Sequence, residues 1–214
     1  GQTCISPTRM LVPRRYYAEA MHVAAATANA LVVGDPADPA TRVGPLANRA
    51  QYERVQHMIG VGIEEGARVI AGGPGRPEGL DTGFYARPTV FADVSNTMRI
   101  ARGEIFGPVL VMIPYDDEAH GIAIANDSPY GLAAYVASSD TYRARRVAAR
   151  LRAGSVRING GQLDLTLPFG GYKASGLGRE NGAEAIDGYL QSKSVWINNG
   201  PGGGNPFVMK TAGG

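Results

Sequence analysis

Strand-length apolar segments alternate with helix-length segments along most of this chain, and this alternation narrows the possible folds more than any other feature. Residues 109–113 read Val-Leu-Val-Met-Ile without a polar interruption, which is typical of a parallel strand buried on both faces. Between residues 48 and 65, Tyr52, Val55 and Ile59 recur on one face of a predicted helix. The sequence therefore predicts an α/β domain with a largely parallel sheet and flanking helices.

The other elements follow from the same periodicities and from the turn residues between them. Strands are predicted at residues 9–13, 68–71, 89–94, 109–113, 132–137 and 155–159. Helices are predicted at residues 15–33, 48–65, 117–126 and 141–151, with a short one near 181–190. The glycines near residues 176–182 are interpreted as turn formers, because their spacing differs from a G-x-G-x-x-G dinucleotide fingerprint.

Composition excludes several classes of function. Hydrophobic residues make up 44% of the 214 residues, as expected of a globular chain. The 21 basic and 19 acidic residues are scattered and give a net charge of +2, so nothing favours binding to nucleic acid. No apolar stretch is long enough to predict a membrane span. A single cysteine cannot form an internal disulfide, and we therefore expect a reducing, cytoplasmic location.

That single cysteine, Cys4, lies between a flexible glycine and a proline turn, directly before the predicted strand at 9–13. A thiolate at a loop-to-strand junction could be both exposed and rigidly held, as a nucleophile requires. A lone cysteine is more often a small, inert, buried residue. Catalysis by Cys4 therefore depends on what the rest of the chain provides.

Four segments, taken together and in order, resemble the aldehyde dehydrogenase superfamily. They are Gly1-Gln2-Thr3-Cys4 with Arg9, Glu104-Ile105-Phe106-Gly107-Pro108, Asn126 with Tyr130-Gly131-Leu132, and Pro168-Phe169-Gly170-Gly171-Tyr172-Lys173 with Ser175-Gly176 and Gly178-Arg179-Glu180. Each motif alone is weak evidence, but four at the spacing of the family are specific. The likeness extends from Gly1 to about Asn198.

The resemblance also implies how the chain is organised. Residues 1–190 would be part of the catalytic domain, residues 191–198 an oligomerisation strand, and residues 199–214 a flexible glycine-rich tail. In this family, a Rossmann-type coenzyme domain, a glutamate general base and an oxyanion-hole asparagine precede the cysteine. We therefore expect this chain to be the C-terminal portion of a longer enzyme, without its N-terminal coenzyme domain, and inactive by itself.

The same resemblance implies that Cys4 is the nucleophile. Its thiolate would add to an aldehyde to give a thiohemiacetal, which passes hydride to NAD or NADP and leaves a thioester for water to release. The Cys4 backbone N–H would help to stabilise the oxyanion. Glu104 matches the glutamate that binds the nicotinamide ribose hydroxyls, and Phe106 matches the aromatic residue beside them. Gly103 stands where many relatives have a second acidic residue, which loosens the preceding turn.

Two polar residues of the predicted helix at 48–65 match coenzyme positions only loosely. Gln51 and Arg54 lie one turn apart, where relatives have residues near the adenosine-side ribose. An ordinary polar helix surface is the alternative, and it is the favoured interpretation of these two residues.

Four residues are candidates for contact with a small-molecule aldehyde. Phe169 and Leu163 align with positions that line the aldehyde tunnel of the family, and Thr3 and Ile5 flank the nucleophile. Apolar residues of this kind are ordinarily core residues. Only Phe169 is favoured as a substrate contact over that alternative.

Two other functions remain open at this stage. A cysteine hydrolase or esterase would also use Cys4 but needs a histidine base, and none of His22, His57 and His120 lies in a motif for that role. Nor do the histidines have metal-ligand spacing, so we expect no metal. A non-catalytic assembly piece would act only through the alternating segment from Ser192 to Asn198. In the family this strand joins a neighbouring subunit, which implies a homodimer or homotetramer.

Overall fold

A computed structural model describes residues 1–162, 164–197 and 199–200 of the chain. Five α-helices are found in this part: α1 (Tyr17–Asn29), α2 (Arg49–Glu64), α3 (Arg99–Arg102), α4 (Glu118–Asn126) and α5 (Thr141–Ala148). Two 3₁₀ helices lie at Arg14–Tyr16 and Ala183–Tyr189. The strands are β1 (Arg9–Pro13), β2 (Arg68–Ala71), β3 (Thr89–Ala92), β4 (Val109–Tyr115), β5 (Tyr130–Gly131), β6 (Ala133–Val136), β7 (Ser155–Ile158) and β8 (Tyr172–Lys173).

These strands form one larger sheet and two small ones within the described residues. The larger sheet has the order β1-β4-β3-β2, and β4 runs parallel to both β1 and β3. Strand β2 pairs antiparallel with β3 at one edge. Strands β6 and β7 form a separate parallel pair, and β5 pairs antiparallel with β8. The predicted α/β architecture with a largely parallel sheet is confirmed.

Both faces of the larger sheet are covered by helices, as the uninterrupted apolar run in β4 predicted. Val109, Val111 and Ile113 pack in the core that contains α2. Met112, between two of them, packs in the core that contains α1. Successive strand residues point to opposite faces, so an apolar residue is required at every position of a strand with two covered faces.

The helix and strand boundaries differ from the predicted ones by a few residues at several ends. The helix predicted at 15–33 is a 3₁₀ turn followed by α1, which ends at Asn29. The start of α2 agrees, because the Asn48 side chain caps it by accepting a hydrogen bond from the Gln51 backbone N–H. The short helix near 181–190 is a 3₁₀ helix, with the left-handed backbone of Gly182 directly before it.

The predicted oligomerisation strand forms no strand with the rest of the described chain. Residues 191–197 have neither helical nor strand pairing, and Val195, Trp196 and Ile197 are exposed. Asn198, at the end of that segment, lies outside the described residues, as do residues 201–214 of the predicted tail. Within the described residues, no helix combines the length and the apolar character needed to span a membrane.

Candidate active site

Cys4 lies in a tight turn that leads into β1. The Ser6 backbone N–H donates to the Thr3 carbonyl at 2.9 Å, so Cys4 and Ile5 are the two central residues of a turn at residues 3–6. The Cys4 thiol is free and exposed. Among the described residues, the Cys4 backbone N–H has no hydrogen-bond acceptor. The turn therefore presents a thiol and an unused backbone donor at the same position.

Arg9 anchors the strand that follows this turn. Its guanidinium donates to Asn96 Oδ1 at 2.7 Å, to the Ile124 carbonyl at 3.0 Å and to the Ala125 carbonyl at 2.9 Å. Burial lowers the pKa of Arg9, and the nearby Asp127 charge opposes that shift. Because these partners come from α4 and the loop after β3, Arg9 fixes β1 against elements far away in sequence.

The loop at residues 104–106 follows α3, and two side chains of α2 hold it by hydrogen bonds to its backbone. The Gln51 amide donates to the Ile105 carbonyl at 2.9 Å and to the Phe106 carbonyl at 2.7 Å. Arg54 donates to the Glu104 carbonyl. Phe106 has a left-handed backbone with φ of 58°, a conformation that non-glycine residues adopt only when their surroundings hold it. The three carbonyl contacts supply that support.

This backbone support leaves the Glu104 carboxylate available. Glu104 is exposed, and its carboxylate has no hydrogen bond or ion pair within the described residues. Gly107 follows directly, and a Cβ there would lie 2.4 Å from Val55 Cγ2. The absence of a side chain at Gly107 therefore lets the loop lie directly on α2.

One cleft brings together part of the predicted site. It has a volume of about 1500 Å³, and Thr3, Cys4, Glu104 and Phe106 all line it. Asn126 also lines it, so three of the four motifs reach the same space. The fourth motif reaches it through Ser175, beside the lining residue Ala174.

None of the other predicted site residues that the structure describes lines this cleft. Gln51 and Arg54 do not line the cleft, and the structure gives both of them backbone partners in the 104–106 loop. Phe169 is half-buried and pairs through its backbone with Glu180, at 2.6 and 2.7 Å. Ile5 accepts a hydrogen bond at its carbonyl from the Tyr135 hydroxyl. Leu163 lies outside the described residues.

Lys173, a motif residue without an assigned role, connects the fourth motif to the third by hydrogen bonds. The Lys173 ammonium donates to the Asn126 carbonyl at 2.7 Å and to the Ser128 carbonyl at 3.0 Å. Burial lowers the pKa of Lys173, and the neighbouring charges of Arg152 and Arg9 lower it further. The motifs themselves were the signal for these residues, but only the structure shows that one motif holds the backbone of another.

Together these features define an α/β domain whose open cleft presents a thiol and an unpaired carboxylate. A sequence model described as the aldehyde dehydrogenase family matches residues 1–195. The chain belongs to this family.

Curated relatives and solved structures agree with this assignment. The chain is 52% identical over 195 residues to a 3-succinoylsemialdehyde-pyridine dehydrogenase from Pseudomonas sp, covering 91% of this chain and 41% of the relative. A putative aldehyde dehydrogenase from Staphylococcus saprophyticus is 47% identical, with the same coverage. The chain thus spans about two fifths of the length of these relatives.

Two crystal structures superimpose closely on the fold. Aldehyde dehydrogenase C from Pseudomonas syringae, a cysteine-to-alanine mutant complexed with NAD⁺ and octanal, matches with a TM-score of 0.88 and 53% identity. That match covers 90% of this chain and 40% of the other. A Mycobacterium tuberculosis aldehyde dehydrogenase complexed with NAD⁺ matches with a TM-score of 0.89 and 51% identity, over 94% and 42% of the two chains.

Proposed function

We propose that the protein containing this chain oxidises an aldehyde to a carboxylic acid with NAD(P)⁺, and that Cys4 is the nucleophile. The observation that carries the proposal is the placement of the exposed Cys4 thiol and the unpaired Glu104 carboxylate on one cleft of a chain from this family. A free thiol is kept reduced in the cytoplasm, and we accordingly propose a cytoplasmic location.

The turn at residues 3–6 suits the attack of a thiolate on a carbonyl carbon. The thiolate of Cys4 adds to the aldehyde and gives a thiohemiacetal, whose oxygen carries the developing negative charge. The Cys4 backbone N–H has no acceptor among the described residues, so it is available to donate to that oxygen. After oxidation the acyl group remains on Cys4 as a thioester, and water releases it as the acid.

Glu104 and Phe106 have the properties needed to hold the nicotinamide end of the coenzyme. A carboxylate can accept from two adjacent ribose hydroxyls at once, and that of Glu104 is not engaged by the protein. Phe106 lines the same cleft and is only half-buried, which leaves ring surface for the coenzyme. The bound coenzyme supplies the hydride acceptor. Gln51 and Arg54 support this subsite by donating hydrogen bonds to backbone carbonyls of the 104–106 loop. Contact of either residue with the adenosine-side ribose remains a prediction.

Thr3 is the strongest candidate for contact with the aldehyde, since it lines the cleft beside Cys4. Ile5, Phe169 and Leu163 remain predicted substrate contacts. One similar structure contains octanal, and the name of one similar protein specifies a pyridine-bearing semialdehyde. These two aldehydes differ in polarity, so we propose an organic aldehyde without naming its substituent.

The first test is substitution of the nucleophile in the full-length protein. NADH formation is measured with a panel that contains octanal and 3-succinoylsemialdehyde-pyridine. Cys4→Ser and Cys4→Ala are both expected to lower turnover to below roughly 1% of the wild-type rate, because a hydroxyl or methyl group cannot replace the thiolate. An unchanged thermal midpoint controls for folding. Retention of more than a few per cent of the activity would remove Cys4 from this role.

The second test uses the 214-residue chain by itself. We expect no steady-state NADH formation from it, because the family places its coenzyme domain and its general-base glutamate before the cysteine. NADH formation by the isolated chain with an aldehyde would contradict this expectation.

The hydrolase alternative finds no support in the cleft. His22, His57 and His120 are all described by the structure, and none of them lines the cleft with Cys4. His120 instead contacts Asp116 at 3.1 Å. A coenzyme-independent ester hydrolysis that depends on one of these histidines would favour the alternative over the dehydrogenase.

A further inference from the structure

We propose that Tyr135 is a positioning residue for the nucleophile, acting through the backbone of Ile5. The Tyr135 hydroxyl donates to the Ile5 carbonyl at 2.6 Å, across 130 residues of sequence. The inference rests on the proposed function of Cys4. It goes beyond that function by assigning the geometry of the turn to a side chain outside all four family motifs.

The peptide group between Ile5 and Ser6 is held at both ends. Its carbonyl oxygen accepts from the Tyr135 hydroxyl, and its N–H donates to the Thr3 carbonyl at 2.9 Å. A peptide group is planar, and its C=O and N–H point in opposite directions, so two such bonds fix the orientation of the plane. Cys4 lies one residue before this plane, and its side-chain direction depends on that orientation.

Tyr135 is itself held by a rigid element. It lies on β6, and its parallel partner on β7 is Arg157. The Arg157 guanidinium lies over the Tyr135 ring, 5.7 Å from its centroid. A cation over an aromatic face limits movement of the ring, although the contact is weak at an exposed site. The β6–β7 pair thus carries a hydroxyl that reaches the turn before β1, a strand of a different sheet.

This arrangement matters because Cys4 is exposed and has few contacts of its own. Tyr135, Arg157 and Cys4 all line the same cleft as Glu104 and Phe106. Reaction between a thiolate and a bound aldehyde depends steeply on the position of the sulfur atom. Without the Tyr135 hydroxyl, the one hydrogen bond left to the turn within the described part of the chain would be its internal one, and the thiol would sample more orientations.

The test compares Tyr135→Phe with Tyr142→Phe in the full-length protein. The first change removes the hydroxyl and keeps the ring under Arg157, and the second removes a hydroxyl from the exposed surface of α5. Hydrogen exchange is measured for the peptide that contains residues 3–6, and kcat and KM are measured with octanal. For Tyr135→Phe we expect faster exchange in that peptide and a kcat lowered about 3- to 10-fold, with KM changed by less than about twofold. Tyr142→Phe should alter neither.

Arg157→Met and Arg157→Lys provide a second pair. Loss of the cation should lower kcat about twofold, whereas lysine should restore most of the loss by keeping a charge over the ring. These variants leave the Tyr135 hydroxyl in place, so they separate its role from that of the cation over the ring.

The outcomes distinguish this inference from the proposed function. If the wild-type protein oxidises no aldehyde while exchange responds to Tyr135→Phe, the proposed function fails and the positioning contact stands. If exchange is unchanged, or if it rises while kcat stays at the wild-type value, the positioning role is overturned. A lower thermal midpoint with uniformly faster exchange would also overturn it, because the effect would then be on global stability.

Discussion

At the scale of single residues, a small polar cluster supports the strand that carries the nucleophile turn. Asn96 accepts from Arg9 and donates through its amide to Asp127, whose carboxylate also pairs with Arg102 at 3.1 Å. The hydrogen bond from Arg102 and then that from Asn96 lower the pKa of Asp127. The cluster joins β1, α3 and the end of α4.

The pKa shift of Asp127 predicts an acid-dependent contribution to stability. A carboxylate whose pKa is lowered by folding stabilises the folded state above its unfolded pKa of about 3.9, and this contribution is lost as the pH falls through the folded value. Asp127→Asn should therefore lower the thermal midpoint at pH 7, and the difference from wild type should narrow below about pH 4. Asp127 is exposed, so we expect a small effect.

Asp81→Asn is the control for this prediction. Asp81 is exposed and forms no ion pair among the described residues, so its substitution shows how much the loss of a surface carboxylate by itself changes the thermal midpoint. A difference for Asp127→Asn that widens toward low pH would contradict the prediction.

At the scale of secondary-structure elements, α2 combines a packing role with support of the site. Val55 and Ile59 are completely buried on the face toward the sheet, beside Phe91 of β3. Gln51 and Arg54, at the start of the same helix, hold the 104–106 loop. The same helix therefore packs in the core and holds the loop that carries Glu104 and Phe106.

Two glycines of α2 provide a matched pair for its packing. A Cβ at Gly62 would lie 2.9 Å from Phe91 Cζ and 3.0 Å from Ile100 Cδ1, whereas a Cβ at Gly60 would contact nothing within 4 Å. Gly62→Ala should lower the free energy of unfolding by about 1–3 kcal/mol through overpacking. Gly60→Ala should raise it by about 0.5–1 kcal/mol because alanine is the better helix former. Equal effects in urea denaturation would show that the close approach at Gly62 is not the cause.

The support of the 104–106 loop by Gln51 gives a kinetic prediction. Gln51→Ala removes two hydrogen bonds to the loop carbonyls, so Glu104 and Phe106 should be held less firmly. We expect the KM for NAD⁺ to rise about 3- to 10-fold, with a smaller change in the KM for the aldehyde. Glu53→Ala, on the exposed face of the same helix, is the control. Equal changes for both substrates would indicate a general loss of structure.

At the scale of the whole molecule, the apolar residues near the C-terminal end of the described chain are uncovered. Val195, Trp196 and Ile197 have exposed fractions of 75%, 92% and 76%. Consecutive large apolar residues on a surface are typical of an interface rather than of solvent contact. Together with the alternation from Ser192 to Asn198, they support a role in assembly by strand addition.

We therefore predict that a homodimer or homotetramer depends on this segment. Val195→Asp with Ile197→Asp in the full-length protein should shift the sedimentation profile toward the monomer, because buried unpaired carboxylates oppose association. Tyr142→Asp introduces a charge at another exposed site, on α5, and should leave the profile unchanged. An unchanged oligomer in the double variant would exclude this segment as the interface.

The amino-acid sequence by itself determined the order of the main elements and the family. The uninterrupted apolar run of β4 indicated burial on both faces, and Asn48 marked the start of α2, since periodicity and capping act over a few neighbouring residues. The four motifs were sufficient for the family assignment because they are local strings at characteristic separations.

Only the tertiary structure decided which side chains meet. Gln51 and Arg54 were predicted from their positions to lie near a ribose, whereas their contacts here are with the carbonyls of the 104–106 loop. Tyr135 had no sequence signal, because its partner Ile5 is 130 residues away and offers a backbone carbonyl that any residue would provide. Such contacts depend on how packed sheets and helices place distant segments, and a local pattern does not specify that placement.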